Sequence, residues 1–591
     1  MTAPAGVTPP EGARRNDAES ACRDDAGPAR RDDVETARQD GAGPARRDDA
    51  EPARVRGNDY RVLDPRESLT PTLTVSVVIP AFGGQDKLDL VLAGLARQTY
   101  PAALTEVIVV DNGSTPPLRL PATRPAGTRL VVCARPGRPS ARNAGLAEAT
   151  GDVIHWLDSD VILTPGAIEA HMRWHHAAPY LVVTGYIRFT GAEVPAELPA
   201  DLEKHFEPAE PHAWIVDLVE RTDGLTGNPQ RPFSLHVGGA TSVNARLVAA
   251  AGPMDEELIL GQDTEMGYRL AQAGAVFVPE PAARAYHLGP TMRMRDKQPI
   301  DRVSHAFVAD RIPAYRWLRG HPGRQWKVPY VVVVVDGTAG YDVVRPAVDA
   351  LLAGTVPDIS VLVTGPWDTL DRDRRAPLRD PDLDLVLVHG HYLHEGRVHL
   401  SVAETVDPAV PFVLRLPPGW IPGEDTLARL LELARDEGLG LVNVLLGESP
   451  EGVVAARLER VSAFARARLV VAPGEDSDDA VDTVSGVSWV EGETYGFTAE
   501  PAPLVGRRAA YRARTEAQAE AALLAKEAER LRAQVAKWKD EAGRWRRSAV
   551  ELRRDVGTLR RQLAAANRAQ RSLRGLVTTT MKRALRKRQP G

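Results

Sequence analysis

Leu73-Thr74-Val75-Ser76-Val77-Val78-Ile79-Pro80 is a continuous run rich in β-branched residues and closed by a proline. Apolar character without alternation predicts a strand covered on both faces, as in a parallel sheet. Leu88, Val91, Leu92 and Leu95 follow at helical spacing within 86–97. Residues 106–110 predict a second strand ending at Asp111, 129–133 a third and 153–157 a fourth, with helices at 141–149 and 167–174. Alternation of this kind builds an α/β sheet with helices on both faces. Ligands of such sheets bind beyond the carboxyl ends of the strands, where Asp111 and the pair Asp158 and Asp160 fall.

Beyond this block, 206–214 is rich in His, Pro and acids and is expected as an acceptor-side loop. Helices are expected at 239–250 and 264–273, a short strand at 275–278, and a turn at Tyr286-His287-Leu288-Gly289. A second unit then repeats the order of elements. Strands are expected at 330–336, 359–364, 384–388, 411–417 and 440–446, with helices at 342–353 and 426–437. Where the first unit has Asp158-Ser159-Asp160, the matching strand end reads Arg415-Leu416-Pro417, which cannot ligate a cation. The expected organisation is a tail over 1–58, a catalytic domain over 59–322, a second α/β domain over 323–508, a coiled coil over 512–570 and a basic amphipathic tail over 571–591.

Composition bounds the function. The 591 residues are 43% hydrophobic, and 74 Lys and Arg against 79 Asp and Glu leave a net charge of −5. That balance argues against whole-protein attraction to nucleic acid. Cys22 and Cys133 are the only cysteines, so no disulfide framework is expected. The polar, acidic opening does not read as a signal peptide. No apolar run reaches the roughly 18–20 residues needed to span a bilayer. A cytoplasmic protein is expected, or one peripheral at the inner face of the cell membrane. Within the tail, G-P-A-R-R-D-D occurs at 27–33 and again at 43–49, with too few large apolar residues to offset the entropy of ordering.

Leu524, Ala528, Leu531, Val535, Trp538, Ala542, Trp545, Ala549, Leu552, Val556, Leu559 and Leu563 follow steps of four and three, the seam of a coiled coil. Self-association is expected, because such a stripe must be buried somewhere; packing on the chain's own domain is the alternative. From 571 onward there is no acid, and Arg571, Arg574, Lys582 and Arg583 interleave with Leu573, Leu576, Val577 and Met581. Such an end suits an anionic membrane surface, against a solvated tail or nucleic-acid contact; no nucleic-acid readout motif is present.

The acids define the chemistry. Cleaving a sugar–diphosphate–nucleoside at the sugar carbon leaves negative charge on the diphosphate, which a divalent ion can neutralise. Such an ion takes hard oxygen ligands. Asp160 is expected as the direct ligand. Asp158 is expected on a ribose hydroxyl or on the ion through water, although strand-end acids also serve as turn caps. Asp111 can accept from base or ribose, or cap the Asn112-Gly113 turn. Arg142 can meet a phosphate or base oxygen, or sit on a helix surface. Asp263 and Glu265 open a helix after Gly261. Direct displacement needs a base for the incoming hydroxyl, and Asp263 is the candidate, with Glu265 orienting the acceptor or Asp263; capping alone is the alternative. His287 can complete a metal shell or be a surface histidine. Gly238 and Gly239 suggest a close backbone approach to the donor sugar.

S-V-V-I-P-A-F at 76–82, R-Q-T-Y-P at 97–101, V-I-V-V-D-N-G-S at 107–114, R-N-A-G-L at 142–146, W-L-D-S-D at 156–160, G-G-A-T-S-V-N at 238–244, G-Q-D-T-E-M-G-Y-R-L at 261–270 and Y-H-L-G at 286–289 together resemble the family 2 glycosyltransferases of GT-A fold. The match covers roughly 72–295. The resemblance implies a Rossmann-like GT-A domain and an inverting transfer from a nucleotide-diphosphate sugar, with Mg²⁺ or Mn²⁺. It implies that Asp111 binds the nucleoside, that Asp160 and His287 hold the metal and that Asp263 is the base. Pro80, Arg142, Asp158 and Gly239 are counted with the donor-binding residues. The acidic pair usual before the catalytic helix reads Gln262-Asp263 here. The second unit resembles a degenerate GT-A domain.

The leading expectation is a transferase acting on a glycan or lipid-linked acceptor, in cell-envelope polysaccharide biosynthesis. A metal-dependent nucleotidyltransferase and a non-catalytic glycan-binding coiled-coil scaffold are the alternatives.

Overall fold

The computed structural model describes residues 53–65, 70–227, 231–321, 323–370, 375–450, 452–500 and 507–586. The repeated segment at 1–52, expected as a disordered tail, lies outside them, as do Lys587 and Arg588 of the basic end.

The first sheet contains β1 (Val75–Ala81), β2 (Thr105–Asp111), β3 (Thr128–Val132), β4 (Val153–Leu157), β5 (Val161–Leu163), β6 (Leu181–Thr190), β7 (Ala209–Pro211), β8 (Ala240–Asn244) and β9 (Val276–Leu288). Its order is β3-β2-β1-β4-β8-β6-β9-β5, with β7 paired to β6. Strands β3, β2, β1 and β4 are parallel, and β8 runs antiparallel between β4 and β6. This is a Rossmann-like α/β domain of the GT-A type. Its centre is dry: Val77, Val78, Ile79, Val107, Val109, Trp156 and Leu157 are fully buried. Each such side chain contributes on the order of 1.5–3 kcal/mol by leaving water.

Five elements differ from the sequence reading. The loop expected at 206–214 holds β7 and the start of a helix at Ala213–Arg221. Strand β1 continues through Pro80, which sits opposite Val110 beyond the stretch paired with β4. With one neighbouring strand there, a missing N–H is tolerated. The helix expected at 239–250 is strand β8 followed by a helix at Ala245–Ala251. All five residues of β8 are buried, and its β-branched Thr241 and Val243 fit the space between two strands. The short strand at 275–278 runs on as the 13-residue β9, so His287 lies on a strand and not in a turn. Pro279 and Pro281 hid that continuation. Pro281 falls in the register shift, where Glu280 and Arg284 pair with the adjacent Gly185 and Tyr186, while Pro279 stays in register opposite Thr184. In the second unit, 384–388 is helical, within Leu383–Tyr392. That helix buries Val388 and Tyr392, four residues apart, while Leu387 stays exposed.

The second sheet contains β10 (Val331–Asp336), β11 (Ile359–Thr364), β12 (Val398–Ser401), β13 (Phe412–Leu416), β14 (Leu441–Ser449), β15 (Gly452–Arg460) and β16 (Val487–Glu491). Its order is β12-β11-β10-β13-β15-β14-β16. The parallel set β12-β11-β10-β13 repeats β3-β2-β1-β4, and β15 lies antiparallel beside β13 as β8 does beside β4. The register moves the equivalence of the acids: Leu416 ends β13 as Leu157 ends β4, so Pro417-Pro418-Gly419 follows where Asp158-Ser159-Asp160 does. Arg415 is inside the strand, paired with Glu404 and Glu459. Thr364 ends β11 where Asp111 ends β2.

The two sheets share a core, in which Val332, Leu362, Ala463 and Ala467 join Tyr268, Leu270 and Val276. Residues 53–58, read as the end of the tail, are part of it. Val55 is fully buried, Asn58 donates to the carbonyls of Leu225 and Phe277, and the Gly57 N–H donates to Val484 O at 2.8 Å. Their order comes from distant partners, which a polar local composition does not reveal.

Arg507–Arg586 is one helix of 80 residues spanning the expected seam and most of the basic end. Leu531, Trp538, Trp545, Leu552 and Leu559 along it are exposed. Among the described residues no helix is long and apolar enough to cross a membrane.

Candidate active site

The turn leaving β4 builds one wall of the site. Val161 N donates to Asp158 O at 3.1 Å, closing a tight turn around Ser159. Leu288 N donates to Asp160 O at 2.9 Å, and Val161 pairs with His287 across β5 and β9. These bonds place the imidazole Nε2 of His287 at 3.5 Å from Asp160 Oδ1. Phe189 packs on the His287 ring at 5.1 Å, and the ring is nearly buried. Its Nδ1 has no hydrogen-bond partner among the described residues. Lys87, which sequence reasoning missed, reaches in from the first helix. Its Nζ is 3.5 Å from Asp160 Oδ2 and donates to Leu288 O at 2.7 Å.

A buried guanidinium builds the other wall. Arg142 Nη2 donates to Asp158 Oδ1 at 2.9 Å and Nη1 to Asp263 Oδ1 at 3.0 Å; Nη2 also donates to Gly238 O at 3.1 Å. The Arg142 side chain is 4% exposed, against 40% for Asp158 and 31% for Asp263. One cation thus holds two carboxylates at the rim of the cleft. Burial opposes its charge, but Asp263 and Asp158 outweigh burial and raise its pKa. Burial raises the pKa of Asp158; Arg142 pulls it down, and Asp263 and Asp160 push it up again, so the net shift is upward.

This crowding requires glycine at 238 and presses on 239. A Cβ on Gly238 would lie 2.1 Å from Arg142 Nη2 and 2.6 Å from Asp263 Oδ1. One on Gly239 would lie 3.1 Å from Asp158 Oδ2. Asp263 itself is placed by the helix Gln262–Gln272, which buries Met266, Tyr268 and Leu270 and so anchors its first turn. His236, also missed, donates from Nδ1 to the backbone carbonyl oxygen of Asp263 at 2.8 Å. Burial keeps its pKa low, against the pull of Asp263, so the ring is neutral.

Two of the sequence candidates stand apart from this arrangement. Glu265 is buried and forms a two-point ion pair with Arg269, at 2.6 and 2.8 Å, on the face of its helix turned toward Ala251. Asp111 is 4% exposed and accepts from Ser114 N at 2.8 Å and Leu118 N at 2.9 Å. Burial pushes its pKa up, but the hydrogen bonds from Ser114 and Leu118 win and hold it below the usual range. It caps its turn as an anion, with further lone pairs available.

Asp160 and His287 are close enough to share an ion. Among the described residues, however, no group of three or more His, Cys, Asp or Glu side chains could hold a metal. A cation held by these two side chains would need further ligands of another kind to complete its shell.

Residues 76–233 match the family model described as Glycosyl transferase family 2. The chain therefore carries a family 2 glycosyltransferase domain of GT-A type, followed by a second α/β sheet domain and a long C-terminal helix. Pre-mycofactocin glycosyltransferase of Mycobacterium tuberculosis is 28% identical over 235 residues, covering 39% of this chain and 46% of that protein. Chondroitin synthase of Pasteurella multocida is 23% identical over 449 residues, covering 67% of this chain and 44% of that one. The chain thus spans about half the length of these curated relatives. Among solved structures, the mannosyltransferase PcManGT from Pyrobaculum calidifontis, in complex with GDP-Man and Mn²⁺, aligns with a TM-score of 0.28 at 16% identity, over 44% of this chain and 67% of that one.

Proposed function

We propose that this protein is an inverting glycosyltransferase that moves a sugar from a nucleotide-diphosphate donor to a hydroxyl of a glycan or lipid-linked acceptor, in building a cell-envelope polysaccharide. The observation that carries the reading is the Arg142 bridge, which sets Asp263 beside the strand-end acids within a family 2 domain.

In this reading the Asp263 carboxylate takes the proton of the incoming hydroxyl as its oxygen attacks the anomeric carbon. The bond from that carbon to the diphosphate breaks, and a nucleoside diphosphate leaves. Arg142 is a positioning residue that aims Asp263 and keeps it fixed against Asp158. Asp111 and Asp158 receive the nucleoside and ribose, and the Gly239 backbone lets the donor sugar approach. Asp160 and His287 would hold Mg²⁺ or Mn²⁺, which when bound neutralises charge on the leaving diphosphate. The second domain is a GT-A-like copy without the acids, serving glycan binding, spacing or dimer contacts. The long helix self-associates, and its basic end meets an anionic surface at the inner face of the cell membrane.

Incubating the purified protein with UDP-, GDP- and dTDP-sugars, Mn²⁺ and acceptors should release nucleoside diphosphate. Consumption of a nucleoside triphosphate with pyrophosphate release would replace this reading by a nucleotidyltransferase. Glycan binding without turnover, indifferent to Asp263→Asn, would replace it by a scaffold.

A further inference from the structure

A cavity of about 660 Å³ opens between the two sheet domains, and none of the residues of the candidate active site lines it. Its volume is within the range of small-molecule sites, about 300–1,000 Å³. Five arginines face it, Arg231, Arg316, Arg435, Arg460 and Arg466, against one carboxylate, Asp436.

Three of the five guanidinium groups, those of Arg231, Arg460 and Arg466, meet no carboxylate among the described residues, while Arg435 pairs with Asp436 at 3.0 Å. Arg466 is buried and donates only to carbonyl oxygens, those of Gly57, Gly274, Ala275 and Val55. Arg460 donates to the carbonyls of Leu439 and Ala434. Burial without a carboxylate pulls both guanidinium pKa values down to about 10. Arg316 pairs with Asp358, but Asp358 also takes Arg319. The Arg231 guanidinium donates to no described residue and rests over Trp317. Uncompensated cations out of water are costly, and an anion in the cavity would offset that cost.

Aromatic rings hold the guanidinium groups by their faces. Arg231 stacks over Trp317 at 4.6 Å, Arg316 over Tyr330 at 4.4 Å and Arg460 over Phe412 at 4.9 Å. Stacking uses the flat face and leaves the planar N–H edge to meet an oxyanion, the geometry that suits phosphate.

We propose that this cavity binds a phosphomonoester carried on a ring, a sugar phosphate or a nucleoside monophosphate, at a site separate from the cleft of Asp263. The space exceeds what orthophosphate alone would fill, and ring-bearing ligands suit its aromatic walls.

Calorimetry and thermal melting of the full chain with glucose 1-phosphate, uridine monophosphate and orthophosphate test this. At least one ester should bind with one-to-one stoichiometry, more than tenfold tighter than orthophosphate, and raise the melting midpoint. The double variant Arg231→Gln/Arg435→Gln removes two guanidinium groups that bond no buried carbonyl. It should melt normally without ligand yet lose at least tenfold in affinity. Uridine monophosphate binding that survives the double variant belongs to the catalytic cleft and counts against the proposal for nucleotides, leaving the sugar phosphate arm to decide. No binding of either ester at millimolar concentration, orthophosphate binding as tight as the esters, or glucose 1-phosphate affinity that is absent or unchanged in the double variant when uridine monophosphate binding also survives it, would overturn it. Glucose 1-phosphate binding is read without turnover, so its failure leaves the transferase reading untouched.

Discussion

Asp158 and Asp263 share one guanidinium: Arg142 donates to the first at 2.9 Å and to the second at 3.0 Å. Asp263→Asn keeps a side chain of the same shape and removes the acceptor for a proton. It should retain donor binding in calorimetry and lose transfer by about 10²–10⁴-fold in a product assay. Equal turnover by the variant would remove Asp263 from the chemistry. Gly238→Ala should also lower turnover, because its Cβ has to displace the Arg142 guanidinium.

Asp160→Ala should weaken donor binding only when Mn²⁺ is present, since it removes the carboxylate within 3.5 Å of His287. Lys87→Met should act in the opposite direction on the ion alone. It deletes an ammonium 3.5 Å from Asp160 Oδ2 that competes for the same carboxylate. Titrating Mn²⁺ without donor separates the two, and a weaker ion affinity in the lysine variant would refute competition.

Stability should fall in mild acid. His155, His171 and His175 are buried around Ser242. Burial holds His155 down to about 4 and His175 to about 3, and His171 also lies well below its ordinary value. Above pH 6.5 these rings are neutral in both folded and unfolded chains. As pH drops from there toward 4, the unfolded chain takes up protons that the folded one refuses. Each histidine then costs about 1.4 kcal/mol per pH unit. Urea unfolding at pH 7, 6 and 5 reads this slope. Neither ring nitrogen of His155 has a partner among the described residues, so His155→Leu forfeits no hydrogen bond and should flatten the slope.

Removing everything after residue 511 should lower the oligomeric state by light scattering and leave donor turnover in place. The long helix carries exposed Leu531, Trp538, Trp545 and Leu552 at seam spacing, a stripe that association would cover. Unchanged mass would exclude this helix as the interface. Removing 571–591 alone should reduce sedimentation with anionic vesicles, most at low salt.

Much of the fold was legible locally. β1, β2, β3 and β4 announce themselves as apolar runs bounded by turn residues, and the acids that end β2 and follow β4 stand out by position. The misread elements share a cause. β8 is a strand because two other strands enclose it, and β9 runs on because Pro279 stays in register opposite Thr184 and a register shift against β6 takes up Pro281. The helix at Leu383–Tyr392 has the same apolar density as a strand, and only its neighbours choose between the periods. His236 and Lys87 carried no motif of their own, and Glu265 carried one that its pairing with Arg269 redirects.

The sequence by itself determined that β2 ends on a carboxylate, that two more follow β4 and that the second sheet has none at the matching ends, because side-chain type and apolar runs are properties of contiguous residues. Only the tertiary structure decided that Arg142 joins Asp158 to Asp263, that Asp160 faces both His287 and Lys87, and that five arginines from both domains surround one cavity. Those pairings arise from the order in which strands assemble across the sheets. Electrostatic contact depends on distance in space, and distance along the chain does not encode it.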